Sequence, residues 1–506
     1  MNWRKIFPWA GAISVTFVLL IAGAAYLTLR SPSFHKYVLA KIIQKAQEET
    51  GERIELADYA IHLAGLRLDL YRLAIHGTEP PSAKPLFTAD HLGVGLKIIS
   101  VLRRKVDLSE IILDRPVVHL SVDQNGRMNL PPPPAQKSAT PSTDIFDLAI
   151  GRVVIAAGEL YYNDRKTPLD AELFNLQAQA GFNALRGEYR GSLGYSRGQL
   201  AFKDYNPVEH SLNAHFVAAR GQLVFDPIML SSGGSNLSFR GTLGDYANPS
   251  VHGTYQMVLA TQELRKTLKN SLLPSGQVAM NGSLRYQSEP NRSFLETVYV
   301  DGQLSSPEMA ARTPQAAAQV RGLRGKVVLQ NGDLEAKGLQ AEVFGGRVSA
   351  DLEMRHLAST PDSHLTAAAQ GVSLKTVSDA LRSARLKRLP LVGRVDAKAD
   401  AKWVGGLQNL RAQADANLSA SLDAIAGQGS NAQRFGVPLD GMIHIGYDGP
   451  RNLISLDHSY LRARKTDIQL TGTLSDHSNV RVLARTTDLH EVDVLAVAVE
   501  SVTAQP

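Results

Sequence analysis

Val106-Asp107-Leu108-Ser109-Glu110-Ile111-Ile112-Leu113-Asp114-Arg115-Pro116-Val117-Val118-His119-Leu120-Ser121-Val122-Asp123-Gln124-Asn125-Gly126-Arg127-Met128-Asn129-Leu130, followed at once by Pro131 to Pro134, is the stretch that decides the fold. Apolar residues alternate with polar or small ones on both sides of Pro116, which predicts two short strands meeting there. The second should end in an Asn125-Gly126 turn, where the chain reverses at φ > 0. A segment so regular and so free of reactive groups points to a function carried by surface and shape.

The same period of two runs outward from it. Ile54 and Leu56, then Leu66, Leu68 and Leu70, then Leu92, Val94, Leu96 and Ile98, then Val118, Leu120 and Val122 each alternate with polar or small neighbours, as half-buried strands do. Asp107, Glu110 and Asp114 fall on the complementary positions and fit a solvated face. Before Gly51 the period is 3.6. Ser33 can cap a helix over 33–48 with Phe34, Tyr37, Val38, Ile42 and Ile43 on one side and Lys36, Lys41 and Lys45 spread towards the other,. Packing on the first sheet is the expected role, and lying on a membrane surface is the alternative.

Further upstream, Ile6 to Leu29 are 24 residues without a charge, and roughly 20 apolar residues span a bilayer as a helix. Phe17, Leu19 and Leu20 lie in this run, Arg4 and Lys5 precede it, and Trp3 and Trp9 suit the interface. These residues predict a single-pass anchor over 6–29, with residues 1–5 in the cytoplasm and the rest on the far side. A cleaved signal peptide is the competing reading, but its apolar core would be only about 7–15 residues long.

Composition narrows the classes of function. The chain has 506 residues, 44% of them apolar, enough for a large core and several domains,. A net charge of +6 arises from 54 basic and 48 acidic residues in mixed order, without the basic stripe that nucleic-acid binding calls for. The absence of cysteine removes disulfides, thiolate catalysis and cysteine-ligated metals,. The histidines are scattered, with His210 and His215 the closest pair, and none forms a paired zinc motif. Gly93-Val94-Gly95 lacks the third glycine of a nucleotide fingerprint, and Gly233-Gly234-Ser235-Asn236 reads as a turn. No enzyme, cofactor or metal site is expected.

Downstream of 131–144, a Pro/Ser/Thr-rich linker or loop taken as a domain boundary, strands continue with glycine punctuation. Ser238-Phe239-Arg240-Gly241-Thr242-Leu243-Gly244-Asp245 is echoed by Gln469-Leu470-Thr471-Gly472-Thr473-Leu474-Ser475-Asp476. Helices are predicted over 261–272, over 374–386 and from Asp488. Leu273-Pro274 leads into Gly276 as Leu389-Pro390 leads into Gly393, a shift of 116 to 117 residues. Units of several strands closed by one helix are thus expected at 145–272, 273–388 and 389–506, a quasi-linear array. The third would lack a continuation, so the chain reads as a fragment or abbreviated form of a longer array. Four helices after the anchor cannot cover so much sheet. The apolar face must then meet a second sheet, close into a barrel, or line a groove filled by something else.

The anchor, the alternation from Gly51, and the Leu113-Asp114-Arg115-Pro116-Val117-Val118 and Asp123-Gln124-Asn125-Gly126-Arg127-Met128-Asn129-Leu130 segments resemble the start of AsmA-family proteins, relatives of TamB. Ala341-Glu342-Val343-Phe344-Gly345-Gly346-Arg347-Val348, with Gly371-Val372-Ser373-Leu374 and the Gly393 strand, resembles the family's C-terminal region. The resemblance covers most of residues 1–130 and about 320–405, with Pro116, Asn125, Gly126, Asn129, Phe344, Gly345 and Gly346 as motif positions. It implies a mostly β protein: an N-terminal transmembrane helix, a β-domain over 51–130, then an elongated, curved antiparallel β-sheet groove of repeated units with a few short helices, akin to chorein-type bridge-like lipid transfer proteins. It also implies an inner-membrane protein with its bulk in the periplasm of a diderm bacterium. Leu66, Leu68, Leu70, Leu92, Val94, Leu96, Val118, Leu120 and Val122 would line the groove, with phospholipid acyl chains as partners. The alternative implied role is an envelope scaffold that assists outer-membrane protein biogenesis by strand pairing, its partner an outer-membrane protein or other envelope factor.

Overall fold

The structure is a computed structural model. It describes residues 31–62, 65–80, 82–97, 108–130, 145–271, 273–312, 316–382, 391–426, 433–475, 478–489 and 491. The expected head and anchor, residues 1–29, lie outside these, as do the 131–144 stretch and most of the helix expected from Asp488. No helix among the described residues is long and apolar enough to cross a membrane. The chain divides into two compact units, Met1–Arg220 and Gly221–Pro506.

The first unit opens with helix α1 (Pro32–Thr50). Proline at the first helical position has its φ already set, and Gly51 ends the helix at φ 74 with its N–H on the Gln47 carbonyl, 2.8 Å away,. Its buried stripe is Leu39, Ile42, Ile43 and Ala46, at i, i+3, i+4 and i+7. Of the residues expected on that side, Ile42 and Ile43 are there, whereas Tyr37 is exposed. The stripe packs on Ile54, Leu56 and Leu73, with Leu70, Ile75, Phe87 and Leu92 around them. The helix thus covers the sheet, as expected.

That sheet contains β1 (Ile54–His62), β2 (Arg67–Ile75), β3 (Phe87–Leu96), β4 (Leu108–Asp114), β5 (Val117–Val122), β6 (Arg152–Asp164), β7 (Leu169–Asn183), β8 (Glu188–Phe202) and β9 (Val208–Ala219). β3 pairs antiparallel with both β4 and β5, and both run parallel to β6. β4 and β5 are therefore one strand in two pieces. Arg115 at φ 47 and Pro116, which has no N–H to donate, break it, while the Pro116 carbonyl still accepts from Glu159 N–H at 2.8 Å,. This corrects two expectations. The sheet is not wholly antiparallel, and 131–144 is not a domain boundary, since β5 and β6 pair in one sheet. A parallel pair needs a long crossover between its strands.

The Asn125-Gly126 turn forms, with Gly126 at φ 81 and the Asp123 carboxylate accepting from the Asn125 and Arg127 N–H groups. Only one bridge follows it, Val122 to Met128. Beyond that, the buried Asn129 side chain continues the pairing, accepting from Ser121 N–H at 2.9 Å and donating to the His119 carbonyl at 2.8 Å.

The second unit contains fifteen described strands in a meander. They begin β10 (Gln222–Ser232), β11 (Ser235–Gly244), β12 (Ser250–Ala260), β13 (Ser275–Gln287), β14 (Val298–Arg312), β15 (Ala317–Gln330), β16 (Asp333–Val343) and β17 (Gly346–Arg355). They continue β18 (Asp362–Ser373), β19 (Leu391–Val404), β20 (Arg411–Ala426), β21 (Gln433–Asp448), β22 (Leu453–Arg462), β23 (Thr466–Leu474) and β24 (Asn479–Thr486). Each pairs antiparallel with the next. Within this unit β12 pairs with β13 across residue 273 and β18 with β19 across residue 389, where one repeated unit was expected to pass into the next.

Short helices sit at strand ends. α2 (Ile145–Leu148) precedes β6, α3 (Thr261–Thr267) follows β12, α4 (Phe294–Thr297) precedes β14 and α5 (Leu374–Ala380) follows β18. Six strands separate α3 from α5, and six more precede Asp488. Gly276 and Gly393, second and third residues of the strands that follow α3 and α5, share φ values of 156 and 154. The Phe344-Gly345 pair forms the tight turn between β16 and β17, both residues at positive φ, and Gly346 packs where any Cβ would meet the Val372 backbone,.

Candidate functional site

Residues directly opposite one another on paired strands project from the same face, so the registers can be followed across each sheet. In the first unit Leu92, Leu113, Ile155, Ala178, Leu193 and Ala214 form one such row, and Leu120, Tyr162, Ala171, Leu200 and Val208 another. In the second, Leu284, Val300, Leu329, Leu334 and Met354 form a row, as do Ala336, Leu352, Leu365, Ala401 and Ala412. The opposite face is polar: Gln256, Asn281, Gln303, Lys326 and Lys337 are in register and exposed. Ion pairs lace it, such as Lys326 with Asp301 at 3.0 Å and His364 with Asp400 at 2.6 Å.

The apolar face differs along the chain. Over β1 to β3 helix α1 packs on Ile54, Leu56 and Leu73, and Leu70 and Leu92 border that cluster half-buried. Leu66 is not on a strand at all. It occupies the turn before β2 at φ 45, its carbonyl taking the Leu96 N–H. Leu68 and Val94 are ladder partners on the row that includes Ile111, and Leu96 pairs with Leu108. Val118 sits between Phe87 and Leu160, Leu120 beside Tyr162, and Val122 is buried at the strand end. In the second unit the buried hydrophobic cluster is small, Leu422 and Val437 with Leu391 and Ala463 against them. Among the described residues no facing sheet packs on the apolar rows there, and β24 pairs only with β23.

Two features of the apolar face escaped the sequence reading. The Phe239 ring lies over Gly241 and Gly253, and the Tyr255 hydroxyl reaches over Gly302, each filling the space where a glycine has no side chain. The signal was present as Phe239-x-Gly241 and Gly253-x-Tyr255, an aromatic two positions from a glycine on one face of a strand.

The polar face of the first unit carries one buried carboxylate. Asp69, 3% exposed, receives Arg67 Nε at 2.8 Å, with His91 Nε2 at 2.7 Å and His62 Nε2 at 3.0 Å. His91 bridges onward to Asp114, 2.8 Å from its Nδ1. Burial alone would raise the pKa of Asp69, but the hydrogen bonds from His91 and Arg67 outweigh it and hold the carboxyl below its usual range,. Burial likewise opposes protonation of His91, yet the two carboxylates raise its pKa. Among the described residues no group of three or more His, Asp or Glu side chains is arranged to hold a metal ion.

Fold and site together define a β-sheet protein that keeps a long apolar face on one side and a charged face on the other, with little over the former. The AsmA family model matches residues 3–314, and the chain belongs to the AsmA family. The Phe344-Gly345-Gly346 stretch lies beyond the matched residues. Neither the curated proteins nor the solved structures contain a match.

Proposed function

We propose that the uncovered apolar face binds the acyl chains of phospholipids and lets them pass between the inner and outer membranes. In this reading residues 6–29 anchor the chain in the inner membrane and the sheets lie in the periplasm of a diderm bacterium. The supporting observation is the set of apolar rows that cross strand after strand of the second unit without a protein layer over them. On β19 the apolar-face residues are half-buried or buried while their neighbours on the other face are exposed. A sheet curling towards its apolar side produces that asymmetry.

The energetics suit passive transport. Each methylene withdrawn from a bilayer into water costs about 0.8 kcal/mol, so a tail can leave the membrane only along a surface that keeps water away. Head groups would stay wet, and no covalent step is involved.

Phospholipid should copurify with the detergent-solubilised full chain, and Leu352→Asp combined with Ala399→Asp should remove most of it. Mass spectrometry of extracted lipid reads the result. A wild-type protein free of lipid would overturn the reading.

The second reading, a scaffold for outer-membrane proteins, rests on β24. Val480, Val482 and Leu483 are exposed on this strand, which could accept a client strand at its free edge,. Photo-crosslinking separates the two: lipid adducts from Leu352 support transport, and protein adducts from β24 support the scaffold.

A further inference from the structure

Tyr255 stands apart from the other large side chains of the apolar face. It is 7% exposed, and its hydroxyl is buried without a hydrogen-bond partner. Its ladder partners are Phe239 on β11 and Gly282 on β13, and Gly302 on β14 is next in the same row. A side chain added at Gly302 would collide with the hydroxyl and then with the Met280 methyl. The phenol therefore lies across the strands and ends over a bare stretch of backbone.

At Gly302 that space is taken by the hydroxyl oxygen itself. Phe239 does the same work over Gly241 and Gly253 with no hydroxyl at all. Ser306 donates to the Gln277 carbonyl at 2.5 Å and the Tyr189 hydroxyl to the Ile145 carbonyl at 3.1 Å, while the small Ser363 hydroxyl, wholly buried, shares with Tyr255 the lack of a partner. A buried hydroxyl without a partner costs stability relative to an engaged one, so filling the space over Gly302 leaves a donor unmet. Burial, with the charge of Asp301, pushes its pKa up, which keeps the group a neutral donor. Met280, which borders the same space, has a flexible unbranched side chain able to yield to a ligand.

We propose that the Tyr255 hydroxyl donates to an acyl carbonyl oxygen of the ligand, fixing the point where the polar end of an acyl chain stops on the apolar face. This rests on the reading that the face binds acyl chains. The carbonyl could belong to a glycerolipid ester or to a fatty acid.

The test uses the full chain in detergent, wild type and Tyr255→Phe, with three probes: a diacyl phosphatidylglycerol, the dialkyl ether lipid with the same head group, and oleate. Wild type should bind the diacyl lipid roughly 3- to 10-fold more tightly than the ether lipid, the effect of one hydrogen bond. In Tyr255→Phe the two affinities should converge while the ether lipid binds as before. Weaker oleate binding in the variant would extend the contact to free fatty acid, and unchanged oleate binding would assign it to the ester. The melting temperature of the lipid-free protein should stay the same or rise, since the hydroxyl lost has no partner there. An ester preference that persists in Tyr255→Phe, or a less stable lipid-free variant, overturns the proposal while leaving acyl binding intact. Failure of wild type to bind any probe instead removes the reading on which it rests.

Discussion

The start of the first unit and the middle of the second are built from the same kind of strand, yet one has a core and the other does not. Ile54, Leu56 and Leu73 are buried because α1 lays Leu39, Ile42, Ile43 and Ala46 across them. Leu352 and Leu365, in equivalent apolar rows, remain half-buried because only the sheet's own side chains surround them. Alternation specifies that a face is apolar and is silent about what covers it. The information on cover lies elsewhere, in whether an amphipathic helix of matching length adjoins the strands.

The largest difference should appear on placing a charge in each face. Leu56→Asp buries a carboxylate under α1 with no partner and should destabilise the first unit by more than about 4 kcal/mol, enough to unfold it. Leu352→Asp places the same group where water has access, and should leave secondary structure and melting temperature nearly unchanged while acyl binding falls. Circular dichroism melts of the two variants decide this. Equal destabilisation would mean that the second face is covered after all.

The polar faces differ in the same sense, with a smaller effect. Asp69 is buried among Arg67, His62 and His91, whereas Asp400, lowered by its His364 hydrogen bond, is about half exposed, and exposed pairs contribute roughly 0–1 kcal/mol. The folded-state pKa of Asp69 lies below its ordinary 3.8. Its contribution is therefore complete above that pH and fades as pH falls through the lowered value. The folded-state pKa of His91 lies above its ordinary 6.5. Its contribution is complete below 6.5 and fades as pH rises through the raised value. The melting temperature of the first unit should thus be highest between about 4 and 6.5. His91→Gln should flatten the alkaline decline, whereas His364→Gln should leave the profile as it is.

Much of this was legible in the chain. The strands, the polar and apolar faces, α1 and the Asn125-Gly126 turn all follow from periodicity and turn chemistry. Resets of the apolar spacing were legible too, as places where it slips from two to three: Leu70 to Leu73, where the neighbouring strands slip together and register is kept, and Ala336 to Leu339 and Val320 to Leu323, where register shifts. Each slip contains a residue at positive φ, Arg72, Gly338 and Gly322 respectively, so the extra residue is absorbed and the apolar face is kept. What could not be read was pairing at a distance. The parallel alignment of β5 with β6 depends on where the chain returns after a crossover. The burial of Asp69 depends on His62 and His91 arriving from neighbouring strands, and neither leaves a local pattern. Leu66 was misplaced because a leucine two positions before Leu68 looks like strand whether or not the turn has ended.

Those resets offer the finest comparison. The second unit puts glycine at Gly322, Gly338 and Gly371, where the left-handed backbone costs little,. The first unit uses Arg72 at φ 52, Ala157 at φ 52 and Asn175 at φ 55, and for a residue with a Cβ that region costs roughly 1–2 kcal/mol. Replacing Arg72 by glycine relieves that strain but adds freedom to the unfolded chain worth about 0.5–1 kcal/mol, so Arg72→Gly should be neutral or slightly stabilising. Arg72→Val retains the strain and adds β-branching, so it should melt at a lower temperature, with a gap between the two variants of about 1–2 kcal/mol. At Gly338 the order is the same but the reference is reversed, since wild type already holds the relaxed residue and Gly338→Val can only lose stability. If Arg72→Val instead proved as stable as Arg72→Gly, residue 72 would have left the left-handed region, and Leu73 would leave the face that α1 covers.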